Sequence, residues 1–328
     1  MKWIWIGTIV ALTIGARRLQ PSDERRLQPN ESSPSAPAVD HHQHFFSAET
    51  GALSGRKETV AADDLIRLLD SARIRRAVVL SVAYQFGNPN RPAVANEYER
   101  VKAENDWTAD QVAKYPDRLI GFCAVNPLRD YALAELERCA RIAGLRTGLK
   151  LHFGNSDVQM TNRDHVDALR RVFRAANDRR MAIVVHMRPS VTRQRPYGAE
   201  EARIFLNDII PAAPDVPVQI AHLCGAGGFD DPGIEPALGV FTDAVAARDA
   251  RMARVYFDIS GVGLGLNDKG ARIAARIRQL GVQRVLFGSD TSPGSADGVR
   301  KAWQGFLTLP LSDDEFRTIG SNIAPYLR

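Results

Sequence analysis

The sequence has little cysteine, no apolar run of membrane-spanning length and no strong charge of either sign. Three cysteines in 328 residues make an odd and sparse set, which excludes a complete disulfide framework. Cys123, Cys139 and Cys224 are therefore expected to be buried free thiols. A sharper role for Cys224, as nucleophile or metal ligand, would require its side chain to face a pocket. The net charge is +5, and the first 38 residues carry five basic against three acidic side chains. The remaining +3 over nearly 300 residues is no footprint for nucleic acid. A hydrophobic share of 45% with 25% charged residues is that of an ordinary globular chain.

The N-terminus reads as a targeting segment. Trp3 to Ala16 is uncharged and apolar behind a single Lys2, shorter than the ~20 residues of a spanning helix but suited to a signal-peptide core. Thr13 to Ala16 offers a small-residue exit, with cleavage after Ala16. Arg17 and Arg18 follow directly and resist translocation, so an uncleaved anchor and a misplaced start codon are the alternatives. The expected location is periplasmic or secreted, or cytoplasmic if the segment is no functional signal. Membrane contact is expected only through this segment. Residues 17–37 repeat Arg-Arg-Leu-Gln-Pro and then run into Pro and Ser, as a disordered linker would.

From residue 38 the pattern is regular. Strand-like runs fall at 38–46, 75–82, 119–126, 147–153, 181–187, 216–223, 254–261 and 284–290. Amphipathic helical stretches fall at 60–73, 94–115, 130–143, 163–180, 199–210, 236–250, 269–280, 296–307 and 313–327. Eight strands alternating with helices predict an α/β fold, a single-domain (β/α)8 barrel of TIM type over 38–328. An open doubly wound sheet is the runner-up, but no glycine-rich turn follows the first strand. The barrel strands end on polar residues. Asp40, His42 and His44 close the first, and Lys150, His186, His222, Asp258 and Asp290 close later ones. Such ends form the active face of a barrel. His42 and His44 share one side of their strand, an arrangement that suits a divalent transition metal, most often zinc. His41 alternates away and is read as structural; His165, on a charged helix, is read as solvated.

These residues carry a resemblance. Asp40-x-His42-x-His44 is joined by Asn105-Asp106-Trp107, by Tyr115 through Phe122 and by Gly148-Leu149-Lys150-Leu151-His152. Val185-His186, Ala221-His222 and Phe287-Gly288-Ser289-Asp290 complete the set. Together they resemble the amidohydrolase superfamily, in its amidohydrolase-related branch of aminocarboxymuconate semialdehyde and resorcylate decarboxylases and several lactonases. The resemblance implies one metal ion held by His42, His44, His186 and Asp290, with His222 as acid/base and Asp290 able to share that role. Three neutral imidazoles and a carboxylate would leave one position for water or a substrate oxygen. The cofactor expected is one divalent ion, Zn2+, with Mn2+ as the alternative.

Lys150 has three readings: a carboxylated bridge between two metals, as in binuclear members of the superfamily, a site for a substrate anion, or plain structure. His152 is expected to line the pocket. The loop after the fifth strand carries Arg188, Arg193, Arg195 and Tyr197. Arginine forks suit carboxylates, and Arg188 closely follows His186, so Lys150, Arg188 and His152 form the expected substrate set. Arg193 and Arg195 read equally well as a solvated basic loop. The partner implied is a small, anionic substrate, with no nucleic acid; homo-oligomerisation is left open. Three functions compete: a hydrolase of a small carboxylated ester, lactone or amide, which is favoured; a non-oxidative decarboxylase on the same site; and a non-catalytic exported binding protein.

Overall fold

The computed structural model describes residues 36–227, 229–262, 269–291 and 298–328. The expected targeting segment 1–16 and all but the end of the linker lie outside them. The strands are β1 (Val39–Gln43), β2 (Arg76–Leu80), β3 (Leu119–Ala124), β4 (Gly148–His152), β5 (Ala182–His186), β6 (Val218–Ile220), β7 (Val255–Asp258) and β8 (Val285–Leu286). They pair in parallel in sequence order from β1 to β8. β8 returns to β1 through His41 N to Phe287 O at 2.9 Å and Asp290 N to His42 O at 2.8 Å. Gly288 permits that approach, because a Cβ there would stand 2.7 Å from the Cβ of His42. The result is the (β/α)8 barrel that the alternation predicts.

The helices cover the outside for the reason their spacing suggests. In Arg163–Asp178 the buried residues are Leu169, Val172, Phe173 and Ala176, one face of a 3.6-residue period. Asn162 caps that helix by accepting from the amides of Asp164 and His165. Alternation on the strands splits the apolar residues into two cores. Val78, Leu80, Phe122, Ala182 and Val184 form a small cluster of their own, against which Ile120, Tyr326 and Leu327 pack. The other strand faces join the helices in the large core. Among the described residues no helix is long and apolar enough to cross a membrane.

Two expectations change. The last helix, expected over 313–327, stops at Ser321. Asn322 already leaves the helix at φ −63°, ψ 131°, and the chain then forms a short 3-10 turn, Pro325–Leu327, with the proline at its start. The cysteines are also not three free thiols. Cys123 on β3 and Cys139, at the end of the helix Ala132–Cys139, form a disulfide with Cα atoms 6.0 Å apart, and Cys224 alone is free and buried. An odd count excludes a framework of pairs but does not exclude one pair.

Candidate metal centre

Three imidazoles and one carboxylate converge where β1, β6 and β8 end. Between Asp40 and Gln43 the pairing of β1 with β2 slips, a bulge that locally re-aims the strand carrying His42. The rings of His42 and His44 lie 5.1 Å apart, and those of His42 and His222 lie 4.9 Å apart. His44 Nε2 is 3.5 Å and His222 Nε2 is 3.9 Å from the Asp290 carboxylate. Ligand atoms of His42, His222 and Asp290 all fall within 4.8 Å of one another.

The far nitrogen of each ring is tied down, and the partners fix which nitrogen carries the proton. His42 Nδ1 meets Asp258 Oδ2 at 3.0 Å. His44 Nδ1 meets the carbonyl of Leu80 at 2.6 Å, and His222 Nδ1 meets that of Ser260 at 2.8 Å. A carboxylate and two carbonyls can only accept, so all three rings carry Nδ1–H and turn bare Nε2 lone pairs inward. Lys150 confirms this for His42: its Nζ, which only donates, sits 3.2 Å from His42 Nε2. The donor set therefore fits a divalent cation, with each imidazole oriented from behind by an acceptor.

Asp258 is the hub of that support. It is fully buried, and its Oδ1 accepts from His222 N at 3.0 Å, Ser260 N at 3.1 Å and Ser260 Oγ at 2.5 Å. Its Oδ2 accepts from His42 and from Gln219 Nε2 at 2.7 Å. Burial alone would raise its carboxyl, but the hydrogen bonds it accepts, from the His42 ring and the His222 amide above all, hold it well below the usual range. Asp40 ties the seam in a similar way, accepting from Ser289 N, Ser289 Oγ, Gln43 Nε2 and His42 N. The strand ends beside these bonds hold unusual backbones: His222, Leu223, Cys224 and Asp290 have φ between 46° and 69°. For side chains with a Cβ that is a costly conformation, of the kind that collects at functional sites.

Burial sets the protonation of the cluster. Burial, then Lys150, lowers His42 to about 4 and His44 to about 3, and burial drives His152 and His186 well below 6.5. All four are neutral at physiological pH. Burial also lowers Lys150 to about 8, against the pull of Asp290 and Asp258.

The remaining expected residues divide. His186 stacks on His152, with ring centroids 3.9 Å apart and 15° between planes, and stands 5.0 Å from the ring of His222. It lies next to the converging group but outside the set of three within 4.8 Å. His152 Nδ1 accepts from Asn155 N at 3.1 Å, which leaves Nε2–H as its donor, the opposite tautomer to the other three. Arg188 is not the open cation expected of it. Its guanidinium bonds Asp231 Oδ2 and the carbonyls of Pro189 and Arg195, and lies over the ring of Tyr197. Arg193 and Arg195 both bond Asp157. His41 faces the barrel floor and bonds Phe287 O and Ala324 N. Burial pushes the Cys224 thiol well up, so it is a packed thiol and no nucleophile. In the sequence Asp258 reads only as one more polar strand end, and nothing there marks Ser260 or Gln219.

The family model described as Amidohydrolase matches residues 39–322. No curated protein sequence matches the chain. Among solved structures, 5-carboxyvanillate decarboxylase from Sphingomonas paucimobilis superposes with a TM-score of 0.59 at 18% identity, covering 87% of this chain and 97% of that one. Dihydroxybenzoic acid decarboxylase from Polaromonas sp. JS666, solved with bound manganese and 2-nitroresorcinol, gives 0.60 at 19%, with 87% and 94% covered. A probable 2-pyrone-4,6-dicarboxylic acid hydrolase from Acinetobacter baumannii gives 0.54 at 16%, with 86% and 96% covered.

Proposed function

The chain belongs to the amidohydrolase family, and from that premise we propose that it is a metal-dependent hydrolase of a small carboxylated ester, lactone or amide. The observation that carries the reading is Asp290, whose carboxylate lies 3.5 Å from His44 Nε2 and 3.9 Å from His222 Nε2 at the mouth of the inward-facing lone pairs. His42, His44 and Asp290 would hold the ion, Zn2+ in this reading, with the neighbouring His186, whose ring stands 5.0 Å from that of His222, taken as the fourth ligand so that His222 is left free to move a proton. When bound, such an ion supplies Lewis acidity and lowers the pKa of a water in the open position.

The protein's own groups do the rest. Asp290 accepts the proton of the attacking water. His222, with Nδ1 anchored on Ser260, turns only Nε2 toward the reacting atoms and passes the proton on to the leaving group. Lys150 and the Nε2–H of His152 are the donors for a substrate carboxylate, since the Arg188 fork is already engaged. Export is proposed as well: the disulfide forms and persists in an oxidising compartment.

A decarboxylase is the second reading, and what favours it is the decarboxylases among the solved relatives, one of them carrying manganese. His222 or Asp290 would then deliver a proton to the substrate carbon as carbon dioxide leaves. The test presents a panel of aromatic acids and lactones to protein of measured metal content, following acid release by pH-stat beside carbon dioxide release. Hydrolysis predicts acid without carbon dioxide and about one zinc or manganese ion per chain, as one site of this type binds one first-row ion. Carbon dioxide as the product replaces the hydrolase by the lyase, and full activity in metal-free protein overturns both. His222→Asn should retain the ion and His186→Asn should lose it; the reverse exchanges their roles.

A further inference from the structure

Beneath the converging histidines a line of hydrogen bonds crosses the barrel to the last residues of the chain. Tyr326 OH donates to Gln219 Oε1 at 2.6 Å. Gln219 Nε2 donates to Asp258 Oδ2 at 2.7 Å, and that oxygen receives His42 Nδ1–H at 3.0 Å. Gln219 and Asp258 are fully buried. We propose that Tyr326, Gln219 and Asp258 are positioning residues, a relay by which the C-terminal turn sets the orientation and tautomer of His42.

The direction of each bond follows from the chemistry of its members. Asp258 accepts only, so it requires the amide nitrogen of Gln219 and not its oxygen. The Gln219 oxygen then points down and needs a donor. The cluster against which Tyr326 packs is apolar (Val78, Leu80, Phe122, Ala182 and Val184), and the nearby His41 has both ring nitrogens engaged by Phe287 O and Ala324 N, so the phenol of Tyr326 supplies it. Burial and then the charge of Asp258 push that phenol well above 10, so it keeps its proton and stays a donor. The ring itself packs edge-on against Phe122, with centroids 5.2 Å apart, which fixes where the hydroxyl lies. The tail is moored independently by Ala324 N to His41 Nε2 at 3.2 Å and by Asn322 to the carbonyls of Val282 and Val285. Turned the other way, the Gln219 amide would face its oxygen to the Asp258 carboxylate and leave a buried acceptor against an anion.

This inference rests on the metal reading of the site, so its test has one arm that needs no metal. Protein labelled with 15N-histidine is prepared as wild type, Tyr326→Phe, Gln219→Met and the double variant. Ring-nitrogen shifts in metal-stripped samples report the His42 tautomer, and chelator competition reports the affinity for zinc. Tyr326→Phe keeps the ring on Phe122 and so keeps the fold. The expected result is His42 as Nδ1–H in wild type and a mixture of tautomers in Gln219→Met. Zinc affinity in that variant should fall about 10- to 100-fold, as when a ligand's outer partner is removed. Tyr326→Phe should move both readouts the same way by less, and adding it to Gln219→Met should add nothing. An unchanged His42 tautomer in both single variants overturns the relay, as do additive losses, which mean independent packing effects. A wild type that binds no zinc while His42 shifts as expected overturns the metal reading and keeps the relay.

Discussion

Replacing Asp258 by asparagine changes one atom and almost no volume, yet the structure dictates a specific failure. The Oδ1 position receives two backbone amides, His222 N and Ser260 N, which cannot turn round. The amide oxygen of asparagine must therefore sit there and its NH2 must take the Oδ2 position. That places a donor against His42 Nδ1–H and against Gln219 Nε2. His42 can relieve the clash only by moving its proton to Nε2, the nitrogen that faces the centre. The ring then no longer offers a lone pair to a cation. Loss of an outer-shell carboxylate of this kind weakens a metal site by about 10- to 100-fold, or about 1.4–2.8 kcal/mol. Asp258→Asn should therefore bind zinc about 10- to 100-fold more weakly by chelator competition, with activity restored in part by excess metal. Its melting temperature should fall as well, because a donor facing buried donors costs about 1–3 kcal/mol. Wild-type zinc affinity in a folded Asp258→Asn protein would refute the tautomer argument, since no other arrangement of the amide satisfies the two backbone donors.

Acid should destabilise the metal-stripped protein. His41, His42 and His44 are lowered from 6.5 to about 4, 4 and 3, so below pH 6.5 the unfolded chain binds more protons than the folded one. Stability is then full above 6.5 and declines as pH falls toward about 4. Asp40, raised to about 6, works the other way between 6 and 3.8 but is one group against three. Melting temperature flat from pH 7 to 4.5 would refute this. Lys150→Met should reduce the preference for an acid over its methyl ester, by the worth of a charge-assisted hydrogen bond, about 1.5–3 kcal/mol or roughly tenfold and more in specificity constant. Arg188→Met should leave that preference near wild type and loosen the loop held by Asp231; the opposite pattern would return the anion site to Arg188. Reducing the Cys123–Cys139 bond frees a loop of 16 residues and should cost about 3 kcal/mol on the chain-entropy account. An unchanged melting temperature in Cys139→Ser would show the bond absent in solution.

What could be read from the sequence was what is local and periodic. His42 and His44 share a face because strands alternate, and strand ends gather at one mouth because the barrel is parallel. The contacts that aim those residues are not local. Asp258 is 216 positions from His42, Ser289 is 249 from Asp40 and Tyr326 is 107 from Gln219. Asp258 could be seen as one more polar strand end, but nothing in its neighbours says which ring it supports. Arg188 looked open because its partner Asp231 lies 43 positions on, beyond its own segment. The amphipathic pattern of the final helix runs on past Ser321, but Asn322 leaves the helix at φ −63°, ψ 131° and anchors its side-chain amide on the carbonyls of Val282 and Val285, about forty positions away, which no neighbouring residue signals.

The seam between the first and last strands has a consequence for how the molecule comes into being. His42 and His44 emerge early in synthesis, but the carboxylate opposite them belongs to Asp290, and the seam itself needs Phe287 and Ser289. The centre can therefore form only once β8 has docked on β1, however much of the barrel between them has already collapsed.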